Sequence, residues 1–207
     1  MEKQQKKEIV KTYFSWRKES TSHHIQQLVI SAIFLALFLV ARILTKNIDF
    51  IASHSWQLQM LVFCVGIYAI NSFYYKLFFF IIAPLLMLVF GFSAEPFFGY
   101  LAPHYSFFSF LFLDLIEQLI NKPEHKKINP IINYGLIVVF SVFSYILVWI
   151  FYAIQGVLFY QVSWIASFSF NAPISFVSMG INLAIGLVLF PAIYLLKQQY
   201  NKKKITY

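Results

Sequence analysis

The chain has 207 residues, 60% of them apolar and only 12% charged, with 25 Phe and a formal net charge of +8. A soluble domain carries about 25% charged residues, so this composition excludes an ordinary water-soluble globule and leaves apolar surface for lipid. The basic residues sit in short clusters between long apolar runs, as membrane flanks do, and no aromatic-plus-basic recognition motif interrupts those runs; nucleic acid is not an expected partner.

Taken in chain order, residues 1–24 form a basic, polar amino-terminal segment. Its charges run to His24 and the apolar run behind it is too long for the core of a signal peptide, so no cleavable leader is expected. Six apolar runs follow, read against the roughly 20 residues that a helix needs to cross a bilayer. They are Ile25 to Leu44, Leu58 to Ile70, Tyr74 to Phe92, Tyr105 to Ile120, Ile131 to Tyr160 and Ile174 to Leu196. The second is short. Pro84 predicts a kink in the third, and Pro173 a first helical turn for the sixth. The fifth is long enough for one tilted helix that projects past the bilayer.

The expected fold is therefore an all-α integral membrane protein, with six transmembrane helices in one bundle and both termini cytoplasmic. Residues 25–196 make the membrane domain, between the amino-terminal segment and a basic tail over 197–207. The charges agree with that count. Of the 16 basic residues, 14 fall on one face: those of the amino-terminal segment, Lys76, Lys122, Lys126, Lys127 and those of the tail. Arg42 and Lys46 fall on the other. The rich face is cytoplasmic by the positive-inside rule. Abundant Lys, Ile, Asn and Phe point to an AT-rich bacterial genome, so a multi-pass protein of a bacterial cell membrane is expected. The outer connections "TKNIDFIASHSWQ", "SAEPFFGYLAPH" and "QVSWIASFSFNA" hold aromatics and Ser instead. They read either as interfacial anchors or as a lid over a pocket open to the outside.

Polar side chains inside the spans are the candidates for function. A carboxylate at mid-helix costs about 2.5–3.5 kcal/mol on insertion scales and is normally kept because it faces something in the bundle interior. In the fourth span, Asp114, Glu117 and Gln118 share one helix face. The fifth carries Tyr145, Trp149, Tyr152 and Gly156 at spacings of four, three and four, one stripe, with Gln155, Phe159 and Tyr160 beside it toward the outside. That stripe reads as helix packing, or as stacking walls for a flat ring with Gln155 or Tyr160 as hydrogen-bonding groups. In the sixth, Ser175, Ser178, Asn182 and Gly186 repeat the pattern in polar form. Cys64 reads as a small hydrophobe. There is no P-loop, no HExxH, no paired-cysteine motif and no GxSxG, so neither a cofactor nor a metal is expected.

On these residues the chain resembles the substrate-binding S components of energy-coupling-factor (ECF) transporters, most closely the thiamine-type members. "SHSWQLQMLVFCVGIYAINSFYYKLFFFIIAPLLMLVFG" is similar to the loop and the second and third helices of that family. "FLFLDLIEQL", "YAIQGVLFYQVSW" and "ISFVSMGINLAIG" are similar to its ligand-binding segments in the fourth, fifth and sixth helices. The resemblance implies that Asp114 is the acid facing a cationic vitamin and Asn182 the polar contact of the last helix. Tyr152 falls where the family has His. Trp56, Tyr160 and Trp164 would supply aromatic walls or lid contacts, and Ala32 and Ala36 would face the shared coupling subunit. Leu115 and Val177 stand where the family has Tyr, so the guest is expected to be thiamine, a related heterocycle or a different vitamin or micronutrient. The implied partners are that vitamin, a transmembrane coupling subunit, two ATPase subunits and the lipid bilayer. The chain itself would not be an enzyme. The competing expectations are a membrane-embedded enzyme using Asp114 and Glu117, with His104 or His54, and a non-transporting assembly subunit.

Overall fold

A computed structural model describes residues 2–14, 21–45, 49–51, 54–55, 57–89, 97–120 and 130–205. Three helices are long and apolar enough to cross a membrane: α2 (Thr21–Thr45), α7 (Pro130–Tyr160) and α8 (Trp164–Ile205), the last over Trp164–Lys197. Two shorter apolar helices, α3 (Leu58–Ala69) and α4 (Phe73–Val89), pack among them. An amino-terminal helix, α1 (Glu2–Phe14), precedes α2. A short antiparallel ribbon, β1 (Asp49–Ile51) and β2 (His54–Ser55), joins α2 to α3. The architecture is that of a helical membrane protein.

The fourth apolar run departs from expectation. It is not one spanning helix but a chain of short pieces: a π-helical turn at Phe97–Leu101, α5 (Ala102–Tyr105), a 3-10 stretch at Ser106–Phe112 and α6 (Leu113–Ile120). Two local causes act. The Ser106 hydroxyl donates to the Ala102 carbonyl at 2.9 Å, and such back-bonding bends helices. With three residues per turn, a 3-10 segment aligns Phe107, Phe110 and Leu113 in one ridge, and all three are buried. In an α-helix the same three would drift through about 120°. Irregular backbone at membrane depth is tolerated where protein covers it, as here.

The start of α8 is a second correction. "QVSWIASFSFNA" was expected as an outer loop, yet the helix begins at Trp164 and carries Pro173 and Pro191 inside it. The tail expected from residue 197 continues the same helix to Ile205. The turn from α7 is consequently short, Gln161 to Ser163, with Gln161 at a φ of 54°. It closes because Gly156 lets α8 come against α7: Ser167 Oγ lies where a Cβ would be, and donates to the Ala153 carbonyl at 2.8 Å.

The core is aromatic, with Phe38, Phe63, Phe79, Phe107, Phe110 and Phe190 buried together. The outward faces are apolar too. On α4, Tyr74, Phe78, Ile81 and Leu85 recur at spacings of four, three and four and are exposed. That arrangement costs free energy in water and none in lipid.

Candidate functional site

Two clusters of buried polar side chains stand out, one toward each end of the bundle; other buried polar groups, such as His104 and the Ser109–Ser144 pair, lie among the core side chains. The inner layer lies at the end that carries Lys76 and Lys197, the basic end in the sequence. Asp114, at the first turn of α6, is enclosed there. Lys76 of α4, 0% exposed, donates to its Oδ2. Lys197 of α8 donates to Oδ1 at 3.2 Å and Oδ2 at 3.0 Å. The same ammonium donates to the Tyr68 carbonyl at 2.6 Å and stands 4.5 Å from the Tyr68 ring centroid. Glu117, one turn along α6, is buried on the same side of the helix. Tyr68 Oη in turn accepts from Asn133 Nδ2 of α7 at 3.2 Å. Tyr13 of α1 closes the layer: its hydroxyl donates to the Leu111 carbonyl, and its ring centre is 5.7 Å from Lys76 Nζ. Two cations and two carboxylates thus meet where six helices converge.

The outer layer is uncharged. Gln57, just before α3, donates through Nε2 to Tyr152 Oη of α7 at 3.2 Å. Asn182 Nδ2 of α8 donates to the Gln57 carbonyl at 2.9 Å and to Tyr145 Oη at 2.5 Å. Two buried oxygens here, Gln57 Oε1 and Ser175 Oγ, have no hydrogen-bond partner among the described residues. Ser175 lies on the same face of α8 as Asn182, two turns away. Below Asn182 and Tyr145 is a cavity of about 10 Å³, lined also by Met60, Cys64, Phe107 and Ser141, with the room of a single water.

The separation of the layers follows from helix geometry. Gln57 and Tyr68 are eleven residues apart at α3, Tyr145 and Asn133 twelve apart on α7, and Asn182 and Lys197 fifteen apart on α8. At about 1.5 Å per residue these are rises of roughly 16, 18 and 22 Å. Three helices therefore agree that an apolar middle, filled mainly by Phe side chains, divides the two layers.

This geometry reorganises the expected site. Asn182 and Tyr152 are brought together, through Gln57. Asp114 is not with them: it belongs to the other layer, and its carboxylate already has two internal counter-ions. The expectation of one pocket in which Asp114 and Asn182 orient a cationic guest is thereby corrected. Gln155 is half-buried, whereas Tyr160 is 66% and Trp164 52% exposed, outside the buried network. Trp56 lies outside the described residues, as do Lys122, Lys126 and Lys127. Ala32 and Ala36 are exposed on α2, among the lipid-facing Leu28, Val29, Ile33 and Leu37. The α7 stripe serves helix packing: Tyr145 bonds Asn182, Trp149 Nε1 donates to the Phe168 carbonyl at 2.9 Å, and Gly156 admits Ser167.

Sequence reasoning missed Gln57, Tyr68 and the pairing of Lys76. The last had a signal. A lysine in "FYYKLFFF" is as anomalous as an aspartate in "FLFLDLIEQL", and two opposite anomalies near one membrane face are natural partners. Among the described residues no group of three or more His, Cys, Asp or Glu is placed to hold a metal ion. Comparison with protein families, with characterised proteins and with solved structures finds no match to this chain.

Proposed function

We propose that the chain is a membrane-embedded binding subunit for a small uncharged molecule arriving from outside, and that it hands its cargo to an ATP-driven module as S components of ECF transporters do. The observation that carries this reading is the outer layer. It holds four hydrogen-bonded polar side chains together with two buried oxygens, Gln57 Oε1 and Ser175 Oγ, that have no hydrogen-bond partner among the described residues. A buried polar group left without a partner costs about 1–3 kcal/mol, and a guest bearing an N–H or O–H removes that cost. Between Tyr145 and Tyr152 on α7, Trp149 meets Phe168 edge-on and Phe176 at a tilt, so aromatic side chains adjoin this end of the bundle. The charge of the expected guest changes with the geometry. Thiamine is a cation, and among the described residues the side chains of this layer, Gln57, Tyr145, Tyr152, Ser175 and Asn182, include no carboxylate, so an uncharged ring is favoured over it.

The site is closed, with room for one water, so a guest enters by parting the outer ends of α3, α7 and α8. A thermal-shift screen of the detergent-purified chain against uncharged vitamins and nucleobases, with thiamine as the cationic comparison, tests the proposal. A ligand at 100 times its Kd adds about 2.7 kcal/mol of stability. Asn182→Ala and Gln57→Ala should then weaken that ligand at least tenfold, about 1.4 kcal/mol. If no uncharged compound shifts the melting curve, or if affinity follows Asp114 and ignores both amides, the outer layer is not the site. Co-purification with ATPase subunits tests the transport half separately.

A further inference from the structure

The amino-terminal helix offers a surface that the outer layer does not explain. Its last turn is anchored. Tyr13 reaches the Leu111 carbonyl, and Phe14 packs edge-on against Phe73 with ring centres 4.8 Å apart. Tyr74 Oη donates to the Phe14 carbonyl at 3.0 Å. These contacts hold α1 at the level of the Lys76–Asp114–Lys197 layer. Most of the rest of the helix is exposed, including Lys7, Glu8, Val10, Lys11 and Thr12.

The exposed residues are ordered. Lys7 and Lys11 are four apart, Val10 and Phe14 are four apart, and the two pairs interleave at spacings of three, so they form one strip. Val10 is 36% and Phe14 37% exposed. Glu8, three residues before Lys11, flanks one side of the strip, beside Thr12. The strip also has a neighbour. Tyr74, which holds the Phe14 carbonyl, is the inner end of the exposed row Tyr74, Phe78, Ile81 and Leu85 on α4, a wall that only lipid covers without cost. Phe14 therefore stands at the margin of that exposed apolar row.

We propose that this strip of α1 lies on the membrane surface and recognises anionic phospholipid headgroups. The ammoniums of Lys7 and Lys11 meet phosphodiester oxygens, while Val10 and Phe14 enter the upper acyl region. An interfacial helix with lysines beside apolar side chains partitions in this way. Each lysine near an anionic surface shifts the bound-to-free ratio about fivefold, so the pair supplies roughly twenty-five-fold. Because Tyr13 on the same turn packs on Lys76 and Leu111, seating the strip also holds the lid of the inner charge layer in place. The arrangement is independent of any ligand bound at the outer end.

The test uses the full chain with Val10→Cys carrying a nitroxide; Cys64, the other thiol, is buried. The label's relative accessibility to oxygen and to a water-soluble nickel complex is measured in vesicles of phosphatidylcholine, and of phosphatidylcholine with phosphatidylglycerol. The expected result is an oxygen-accessible, nickel-protected label with phosphatidylglycerol, a shift toward nickel without it, and reversal by high salt. Adding Lys7→Gln and Lys11→Gln should move the label toward nickel about twenty-five-fold in bound-to-free ratio. A label equally open to nickel in both vesicles overturns the proposal. So does a label protected equally in both and indifferent to salt, since the helix would then be held by protein contacts alone.

Discussion

Asp114→Asn is the most informative single change, because it separates a structural anion from a ligand-binding one. The substitution keeps the shape of the side chain and removes its charge. Lys76 is then a fully buried ammonium without its main partner, and Lys197, whose side chain is 14% exposed, loses its carboxylate. Removing one member of a buried pair costs about 3–5 kcal/mol, because the other charge stays desolvated. Two features pull the value to the lower end. Lys197 can turn its ammonium toward water along its flexible stem, and Glu117 remains one turn away as a second carboxyl group. We expect a loss of about 3 kcal/mol. The assay is reversible unfolding of the detergent-solubilised chain, followed by circular dichroism, for Asp114→Asn, Lys76→Met and the double variant. The double variant should recover about 1–3 kcal/mol relative to the sum of the singles, since it removes an anion and a cation together. A change of no more than about 0.5 kcal/mol, the usual size for surface positions, would refute the ion-pair account. So would full stability with lost ligand affinity, which would return Asp114 to a binding role.

Three further substitutions probe the α7–α8 hairpin. Gly156→Ala should destabilise by about 1–3 kcal/mol, because the methyl overlaps Ser167 Oγ and displaces its bond to Ala153, whereas Gly135→Ala, with open space at its Cβ, should be neutral or gain up to about 1 kcal/mol of helix propensity; the difference in melting temperature between the two is the readout. Gln161→Gly should stabilise by up to about 1 kcal/mol, since Gln161 holds a left-handed φ of 54° that glycine adopts without strain. Unfolding midpoints below those of the parent chain would show that the Gln161 side chain makes a compensating contact.

Much of the fold was legible because lipid imposes a simple rule on sequence. The apolar runs at Ile25 to Leu44 and Ile131 to Tyr160 correspond within a few residues to α2 and α7, and the shorter second and third runs to α3 and α4. Hydropathy does not distinguish i→i+3 from i→i+4 hydrogen bonding, which is why the Ser- and Phe-rich fourth run was expected as one helix. Aromatic and serine content suggested an outer loop where α8 begins; in lipid, the same side chains suit a helix end at the interface. Within the site, the periodic stripes were readable. Spacings of four and three placed Tyr145, Trp149, Tyr152 and Gly156 on one face, and that face meets α8. What local pattern could not supply was the partner of Asp114. Lys76 is 38 residues away, and the choice between a guest molecule and a lysine depends on which helices are neighbours.

The two layers differ in strength as well as in chemistry, and that difference bears on how such a bundle could work. At the inner end, charged side chains from α4, α6 and α8 bind one another and the Tyr68 carbonyl, and Tyr13 of α1 packs over them. Parting any two of those helices strands a charge in a medium of low polarity. At the outer end, Gln57, Tyr145, Tyr152 and Asn182 are neutral. Each of their hydrogen bonds contributes about 0.5–1.5 kcal/mol net, and water or a guest can replace them as helices separate. The short turn after Tyr160 keeps α7 and α8 together, so the compliant joint is the one between α3 and that hairpin, where Gln57 bridges to Tyr152 and Asn182. Opening the bundle at the outer end therefore costs much less than opening it at the inner end. The binding subunit proposed above would use that asymmetry, opening to cargo at one end while the other stays closed, and the asymmetry arises from where the charges and the amides fall along three helices.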